Sequence, residues 1–127
     1  MKFRKILIID DDFHVGYLIK ISLEVEGYET VLALSGEEAL EKARASSPDL
    51  ITLDVLMPEM DGFVVLGTLK RDRALNSIPV IMISVVNEAR KKKGLKMGAA
   101  DYLLKPIDFD NLLDRMRRLE MGESSRD

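Results

Sequence analysis

The chain has 127 residues, no cysteine and a formal net charge of −3, with 46% hydrophobic and 32% charged residues. This length suits one domain with its own buried core, and the acidic balance argues against a general nucleic-acid-binding surface. The lack of cysteine excludes disulfides and thiolate metal sites. No apolar stretch approaches the length of a membrane span, and residues 1–5 lead into a strand instead of a signal peptide, so we expect a cytoplasmic protein.

The first part of the chain predicts a buried strand followed by a helix. Residues 6–9 form an aliphatic, largely β-branched run that is typical of a central parallel strand. The helix is expected from about Phe13 to Glu26, and Gly27 suits the left-handed residue that often follows a helix. The residues expected on the inner face of this helix are Val15, Leu18, Ile19 and Ser22 or Leu23.

The next part of the chain predicts two strands on either side of a second helix. Residues 28–34 read as a more exposed strand because polar residues interrupt it. An S-x-x-E capping box at residues 35–38 predicts a helix that runs to about Ala45. The apolar run at 50–53 then predicts a central strand, which delivers Asp54 to its carboxyl end.

The second half of the chain predicts two more strands and three more helices. The strands are expected over residues 78–83 and 99–104. The helices are expected to start at Asp61-Gly62, to cover residues 87–97, and to run from a cap at Asp108 to about Leu119. The middle one of these helices is predicted to be weak, since it combines three consecutive lysines with Gly94.

Polar residues end four of the predicted strands, and their positions predict a common site. Five strands that alternate with five helices indicate an α/β domain with a parallel sheet and right-handed crossovers. The ligand site of such a sheet lies beyond the carboxyl ends of its strands. The polar residues at those ends are Asp10, Asp11, Asp54, Ser84 and Lys105.

These residue types point to phosphoryl chemistry. Three carboxylates brought together repel one another unless a cation lies among them, and oxygen ligands alone favour Mg²⁺ or Mn²⁺. Lys105 supplies a positive charge for a phosphoryl oxygen, and Ser84 supplies a hydroxyl donor. Asp54 is then free to attack phosphorus and to carry the group as an aspartyl phosphate.

The sequence resembles a response-regulator receiver domain of two-component signalling, CheY-like, over roughly residues 4–119. The motifs that carry the resemblance, specific in combination and in this order, are residues 6–12 (ILIIDDD), 48–54 (PDLITLD), 57–62 (MPEMDG), 78–84 (IPVIMIS) and 98–106 (GAADYLLKP). The resemblance implies a five-stranded parallel sheet in the order 2-1-3-4-5, flanked by five helices. It also implies a receiver domain over residues 1–121, with 122–127 as a polar tail or the start of a linker.

The resemblance implies a role for each site residue. Asp54 would accept a phosphoryl group from a histidine kinase or a histidine phosphotransfer protein. Asp11 would bind Mg²⁺ directly and Asp10 directly or through water, with Asp54 and the backbone carbonyl of Leu56 as further ligands. Ser84 and Lys105 would contact the phosphoryl group.

The resemblance also implies a switch. Tyr102 would turn inward behind Ser84 and alter the α4-β5-α5 face for partner binding, and the bond between Lys105 and Pro106 would be cis. The partner on this face would be an output protein or domain, with no direct nucleic-acid or membrane contact, and the chain would be a monomer or a phosphorylation-linked dimer.

Three departures from the family pattern carry expectations of their own. Val85 replaces the usual small residue after Ser84 and is expected to narrow the access to Asp54. Leu56 and Val86 are apolar and cannot hold a water for attack on the acyl phosphate, so we predict slow self-dephosphorylation and no enzymatic turnover. The fourth helix is basic and contains a glycine on the face that usually meets partners.

Two other functions remain open at this point. A Mg²⁺-dependent phosphohydrolase with an aspartyl-phosphate intermediate would need a second acid two residues after the nucleophile, where this chain has Leu56. A nucleotide or flavin binder would need a loop rich in glycine, serine or threonine after the first strand, where residues 10–12 are three aspartates that repel anions.

Overall fold

The computed structural model describes residues 2–85 and 88–122, and it confirms the predicted fold class. One parallel sheet has its strands in the order β2-β1-β3-β4-β5. Strands and helices alternate along the chain as β1 (Lys5–Ile9), α1 (Phe13–Val25), β2 (Glu29–Ala33), α2 (Gly36–Ser46), β3 (Leu50–Asp54), α3 (Gly62–Arg71), β4 (Val80–Ser84), α4 (Glu88–Lys96), β5 (Asp101–Leu104) and α5 (Phe109–Glu120).

The sheet divides the hydrophobic core into two clusters, because successive residues of a strand point to opposite faces. The α2–α3 cluster contains Leu53, Met82 and Tyr102 from the strands, packed against buried residues of those two helices. The α1–α5 cluster contains Leu50 and other strand residues, packed against buried residues of α1 and α5. Strands β3 and β4 are buried along their whole length, as the prediction of central strands requires.

Side-chain caps fix where four of the helices begin. The caps are Asp12, Ser35, Asp61 and Asp108, and each accepts a hydrogen bond from a backbone N–H in the first turn of its helix. The predicted capping box is present in a modified form. Ser35 Oγ accepts from the N–H of Glu38 at 3.1 Å, while the Glu38 carboxylate accepts from the N–H of Leu34 at 2.6 Å.

The predicted inner face of α1 is partly wrong. Leu18 is 58% exposed, and the buried residues of the helix are Gly16, Ile19 and Leu23. The reason is a close approach at Gly16, where an added Cβ would lie 2.7 Å from Cδ1 of Leu32. Because α1 packs on β2 through this glycine, the helix is rotated so that Leu18 faces outward.

The predicted weakness of α4 does not interrupt the helix. It continues through Gly94, which is buried. An added Cβ there would lie 2.8 Å from Sδ of Met82 and 3.5 Å from Cδ2 of Tyr102. The glycine therefore lets α4 lie close to the sheet, while the predicted helix start at Asn87 falls outside the described residues.

Smaller differences concern strand ends. β4 begins at Val80, directly after Pro79, which has no N–H for the ladder. β5 begins at Asp101, two residues later than predicted.

Among the helices that the structure describes, none combines the length and the apolar character that a membrane crossing requires.

Candidate functional site

The carboxyl ends of four strands bring the predicted site residues to one edge of the sheet. Asp54 and Ser84 are the last residues of β3 and β4, and Lys105 directly follows β5. In the register of the sheet, Asp54 pairs with Ile83 and Ser84 pairs with Leu104. The N–H of Lys105 donates to the carbonyl oxygen of Ser84 at 2.8 Å, which fixes the position of the lysine beside β4.

Three carboxylates meet at this edge. Oxygen atoms of Asp10, Asp11 and Asp54 all lie within 4.8 Å of one another. Asp10 and Asp54 are only 2% and 4% exposed, whereas Asp11 is exposed. Asp10 is held by two hydrogen bonds, since its N–H donates to the carbonyl oxygen of Ala33 at 3.1 Å and its Oδ1 accepts from the N–H of Asp12 at 2.9 Å.

The ammonium group of Lys105 lies between the two buried carboxylates. Its Nζ is 3.3 Å from Oδ2 of Asp10 and 3.3 Å from Oδ1 of Asp54. The bond between Lys105 and Pro106 is cis, as the resemblance implied. One lysine therefore neutralises only part of the charge that three carboxylates bring to the pocket.

The pKa values reflect this imbalance. Burial raises the pKa of Asp54 to about 7, and the charge of Asp10 adds to the effect while Lys105 opposes it. Burial likewise raises the pKa of Asp10. Burial acts to lower the pKa of Lys105, but the charges of Asp54 and Asp10 outweigh it and raise that pKa. Both buried carboxylates thus resist ionisation without a further cation.

The pocket fits a hard divalent ion. Its ligand atoms are carboxylate oxygens, which Mg²⁺ and Mn²⁺ prefer. A divalent charge would offset the two carboxylate charges that Lys105 leaves uncompensated. The donor set and the charge balance therefore both suit the predicted metal, with Asp10, Asp11 and Asp54 as the residues that could hold it.

The loop after Asp54 is held tightly against β3. The N–H of Gly62 donates to the carbonyl oxygen of Val55 at 2.7 Å. An added Cβ at Gly62 would clash with the carbonyl oxygen of Asp54 and would lie 2.8 Å from Cα of Val55. Within this loop Leu56 is 47% exposed, and Glu59 has a φ of 68°, a left-handed conformation that is uncommon for residues other than glycine.

Ser84 and Tyr102 carry buried hydroxyl groups. They are 1% and 5% exposed, and neither hydroxyl has a hydrogen-bond partner within the described residues. Tyr102 and Met82 belong to the α2–α3 cluster, and Ser84 projects from β4 to the same face of the sheet as Met82. The aromatic ring thus lies on the opposite face from the carboxylate of Asp54.

The family model of the response regulator receiver domain matches residues 6–117. The chain belongs to this family. A curated relative, the DNA-binding dual master transcriptional regulator RpaA of Synechocystis sp., is 41% identical to this receiver domain over 116 residues. That alignment covers 91% of the chain and 48% of RpaA. The chain also spans less than half the length of two further curated relatives, the probable transcriptional regulator ycf27 of Cyanophora paradoxa (38% identical) and the alkaline phosphatase synthesis transcriptional regulatory protein PhoP of Bacillus subtilis (40% identical).

Solved structures agree with this membership. The chemotaxis protein CheY4 of Vibrio cholerae is 31% identical, with a TM-score of 0.86 over 91% of this chain and 97% of that one. The receiver domain of a signal transduction histidine kinase from Syntrophus aciditrophicus is 37% identical, with a TM-score of 0.85 over 94% of this chain and 91% of that one. The receiver domains of this family are signalling modules of two-component systems and not classical turnover enzymes.

The sequence interpretation missed one polar residue of the receiver domain next to its site. Thr52 is 1% exposed, its hydroxyl has no hydrogen-bond partner within the described residues, and it shares a face of β3 with Asp54 two residues later. The available signal was a hydroxyl residue within an otherwise apolar strand. It was overlooked because threonine is also an ordinary strand former.

Proposed function

We propose that Asp54 accepts a phosphoryl group from a histidine kinase or a histidine phosphotransfer protein, and that the modified chain then changes its affinity for an output partner. The grouping of a buried Asp54 with Asp10, Asp11 and Lys105 is the observation that carries this proposal. The receiver unit comprises residues 1–121, and we place it in the cytoplasm.

Each residue contributes in a distinct way. Asp54 supplies the nucleophilic carboxylate oxygen, and Lys105 stays beside it to pair with the transferred group. Asp10, Asp11, Asp54 and the backbone carbonyl of Leu56 would hold Mg²⁺. When bound, Mg²⁺ offsets the negative charge of the carboxylates and of the phosphoryl oxygens. The hydroxyl of Ser84, which lacks a partner among the described residues, donates to the phosphoryl group.

Engagement of Ser84 is the start of the switch. Its hydroxyl moves toward the phosphoryl group, and the packing behind Ser84, which includes Tyr102 on the same face of the sheet, adjusts. The α4-β5-α5 face carries the change to the partner, because Tyr102 belongs to β5 and contacts Gly94 of α4. Two arrangements that differ by a few kcal/mol are enough for such a switch.

The phosphorylated state is long-lived. Leu56 is half exposed beside the acceptor, and its side chain offers no polar atom to orient an attacking water. Val85 is 48% exposed after Ser84 and narrows the access to Asp54. Val86, the other apolar residue that is predicted to slow the loss of the phosphoryl group, lies outside the described residues.

Acetyl phosphate with Mg²⁺ provides the direct test, read by intact mass and by released phosphate. We expect a stoichiometric adduct that Asp54→Asn abolishes and that EDTA prevents. Asp110→Asn is the matched control because Asp110 is an exposed carboxylate on α5, and it should react normally. Continuous phosphate release would instead favour a phosphohydrolase, and an adduct that persists in Asp54→Asn would contradict the assigned acceptor.

The output partner requires a separate experiment. The chain is loaded with beryllofluoride and Mg²⁺, used to capture proteins from its own cells, and compared with the unloaded chain and with Asp54→Asn. A partner retained only by the loaded wild type supports the switch. Equal capture by all three would show that Asp54 does not control partner binding.

A further inference from the structure

A groove runs along one edge of the sheet. β5 is the last strand in the sheet order, and the space beside it lies between α4 and α5. Its volume is about 340 Å³, and its lining includes Lys91 of α4, Arg115 of α5, and Tyr102, Leu104 and Pro106 between them. We call this space the α4–α5 groove. Its floor is accessible, because Leu104 is 47% exposed.

The outer side of α4 carries lysines that make no ion pair within the described chain. The helix has five cationic residues and one acid among nine residues, in a chain whose net charge is −3. The side chains of Lys91, Lys92 and Lys96 are exposed, and none of them has a partner among the described residues. We call these three the outer lysines. Arg90 is not counted with them because it interacts within the chain, nor is Lys93, whose charge lies 4.4 Å above an aromatic ring of α3.

The α5 wall of the groove adds no available positive charge. Nη1 of Arg115 donates to Oδ2 of Asp101 at 3.2 Å, so this guanidinium group is already paired with a buried carboxylate. Asp108, the cap of α5, is a further lining residue and brings a second carboxylate. The groove is therefore cationic on its α4 side only, and this asymmetry orients a charged ligand across it.

These features favour a protein segment over other anionic partners. A nucleic-acid backbone would pair with the lysines but would leave the apolar side chains of Leu104 and Pro106 uncovered. An amphipathic helix that binds an anionic membrane needs apolar residues to insert beside its lysines, and no large hydrophobic residue of α4 is exposed in the described range 88–96. A peptide supplies both an apolar side chain for the floor and carboxylates for the lysines.

The spacing of the outer lysines sets the spacing of the carboxylates that fit them. Lys92 and Lys96 are about one helical turn apart, so they lie on the same side of α4 with about 6 Å between them along the axis. Carboxylates at positions i and i+4 of a helical segment, or i and i+2 of an extended one, are about 6–7 Å apart. Either kind of segment matches the helix.

We propose that the α4–α5 groove binds an acidic segment of the output partner, which places an apolar side chain on Leu104 and two or three carboxylates against the outer lysines. The inference rests on the proposed function, in which a change at Tyr102 alters this face. Tyr102 lines the groove and lies near Gly94 of α4, so a movement of its ring changes the shape of the groove.

Selection from a library of random peptides tests the chemistry of the segment. The full chain, loaded with beryllofluoride and Mg²⁺, selects short peptides displayed on phage, and a selected peptide is then synthesised with a fluorescent label and titrated. We expect the selected peptides to be rich in Asp and Glu and to contain at least one large apolar residue. Selected peptides without an excess of acidic residues would overturn the proposal.

Two triple variants of equal net charge locate the binding. One removes the outer lysines, through Lys91→Gln, Lys92→Gln and Lys96→Gln. The matched control removes exposed charges outside α4, through Lys2→Gln, Arg4→Gln and Arg73→Gln. We expect the first to bind the labelled peptide about tenfold more weakly, because partly exposed ion pairs each contribute a factor of a few, and the control to bind normally. Equal affinity in the two variants would overturn the assignment to α4.

A second pair of variants tests the floor of the groove. Leu104→Thr should weaken binding of the labelled peptide about fivefold, since it removes a half-exposed apolar side chain that the peptide covers. Val25→Thr removes an apolar side chain that is 77% exposed on α1, and it should have no effect. Binding that does not depend on Leu104 would show that charge alone holds the peptide, which would overturn the groove assignment.

Other partners are outcomes of the same test. A labelled DNA duplex, or vesicles of phosphatidylserine and phosphatidylcholine, that bound more tightly than the peptide and required the outer lysines would overturn the choice of a protein segment. Dimers of the loaded chain that required the outer lysines would assign the groove to a second copy and overturn it likewise.

The proposed function is read separately. Peptide affinity that was the same with and without beryllofluoride would contradict the switch, while dependence on the outer lysines would still support the acidic segment. Absence of an adduct on Asp54 with acetyl phosphate would overturn the proposed acceptor, and it would leave the peptide titrations of the unloaded chain as the measure of the groove.

Discussion

Replacing Asp54 with asparagine removes one buried carboxylate charge and keeps the size of the side chain. In the folded, metal-free chain the pKa of Asp54 is raised to about 7, mainly by burial, from an ordinary value of 3.8. At about 1.4 kcal/mol per pKa unit, the ionised group destabilises the fold by about 4 kcal/mol at most. A buried amide also needs partners, at a cost of about 1–3 kcal/mol, so we expect a net gain in stability for the variant.

The sign of the pH dependence follows from the direction of this pKa change. The folded chain keeps the proton of Asp54 up to a higher pH than the unfolded chain does, so stability falls as the pH rises from about 4 to about 7. The Asp54→Asn variant has no carboxylate at this position, so its stability does not fall in this way as the pH rises. We therefore expect it to be more stable than the wild type by about 1–3 kcal/mol at pH 8, and by much less at pH 5.

Urea unfolding in EDTA at pH 5 and pH 8 measures this difference. Saturating Mg²⁺ should stabilise the wild type at pH 8, because only the native pocket binds the ion tightly. The difference in stability between the wild type and Asp54→Asn should therefore become smaller. Glu41→Gln, which removes an exposed carboxylate from α2, should match the wild type at both pH values. The electrostatic account of the pocket would be refuted if Asp54→Asn were no more stable than the wild type at pH 8. It would also be refuted if the difference in the free energy of unfolding changed neither with pH nor with Mg²⁺.

Three further predictions concern the acceptor loop and the strand beneath it. Gly62→Ala should destabilise the fold by about 1–3 kcal/mol in urea and slow the phosphorylation of Asp54, since the added Cβ meets backbone. Gly67→Ala in the same helix is its control, and equal losses in both variants would contradict the clash. Thr52→Val should raise the free energy of unfolding by about 1 kcal/mol, because it removes a buried hydroxyl without a partner among the described residues; a loss of stability would show that the hydroxyl is satisfied. Leu56→Asn should speed the loss of the phosphoryl group about tenfold, the value of one hydrogen bond to the attacking water. An unchanged decay of the intact-mass adduct would show that Leu56 does not limit hydrolysis.

The positions of Asp10, Asp11, Asp54 and Lys105 along the sequence were sufficient to predict that they lie together, with Ser84 at the same edge of the sheet. Each follows or ends an apolar run, and the carboxyl ends of parallel strands share one edge of the sheet. The sequence could not predict that the ammonium group of Lys105 contacts both Asp10 and Asp54. Its equal distances of 3.3 Å to Asp10 and Asp54 depend on the register between β4 and β5 and on the course of the chain after β5.

The helix faces were harder to predict, and glycine is the reason. The apolar pattern of α1 pointed to Leu18 on the inner face, but a buried Gly16 against Leu32 sets the rotation of that helix. In α4 the sequence predicts that Gly94 weakens the helix, whereas in the structure this glycine allows close packing on Met82. A residue without a side chain leaves no hydrophobic signal, so sequence patterns cannot distinguish a close contact from a weak point in a helix.

The division of the core by the sheet has a consequence for how such a protein diversifies. The carboxylate of Asp54 lies on the face of the α1–α5 cluster, and Tyr102 lies within the α2–α3 cluster on the other face. Substitutions at sites that share no partners usually combine additively. Duplicated copies of the gene can therefore change the exposed residues of α4, on the Tyr102 face, while Asp54 and its partners Asp10 and Lys105 stay intact.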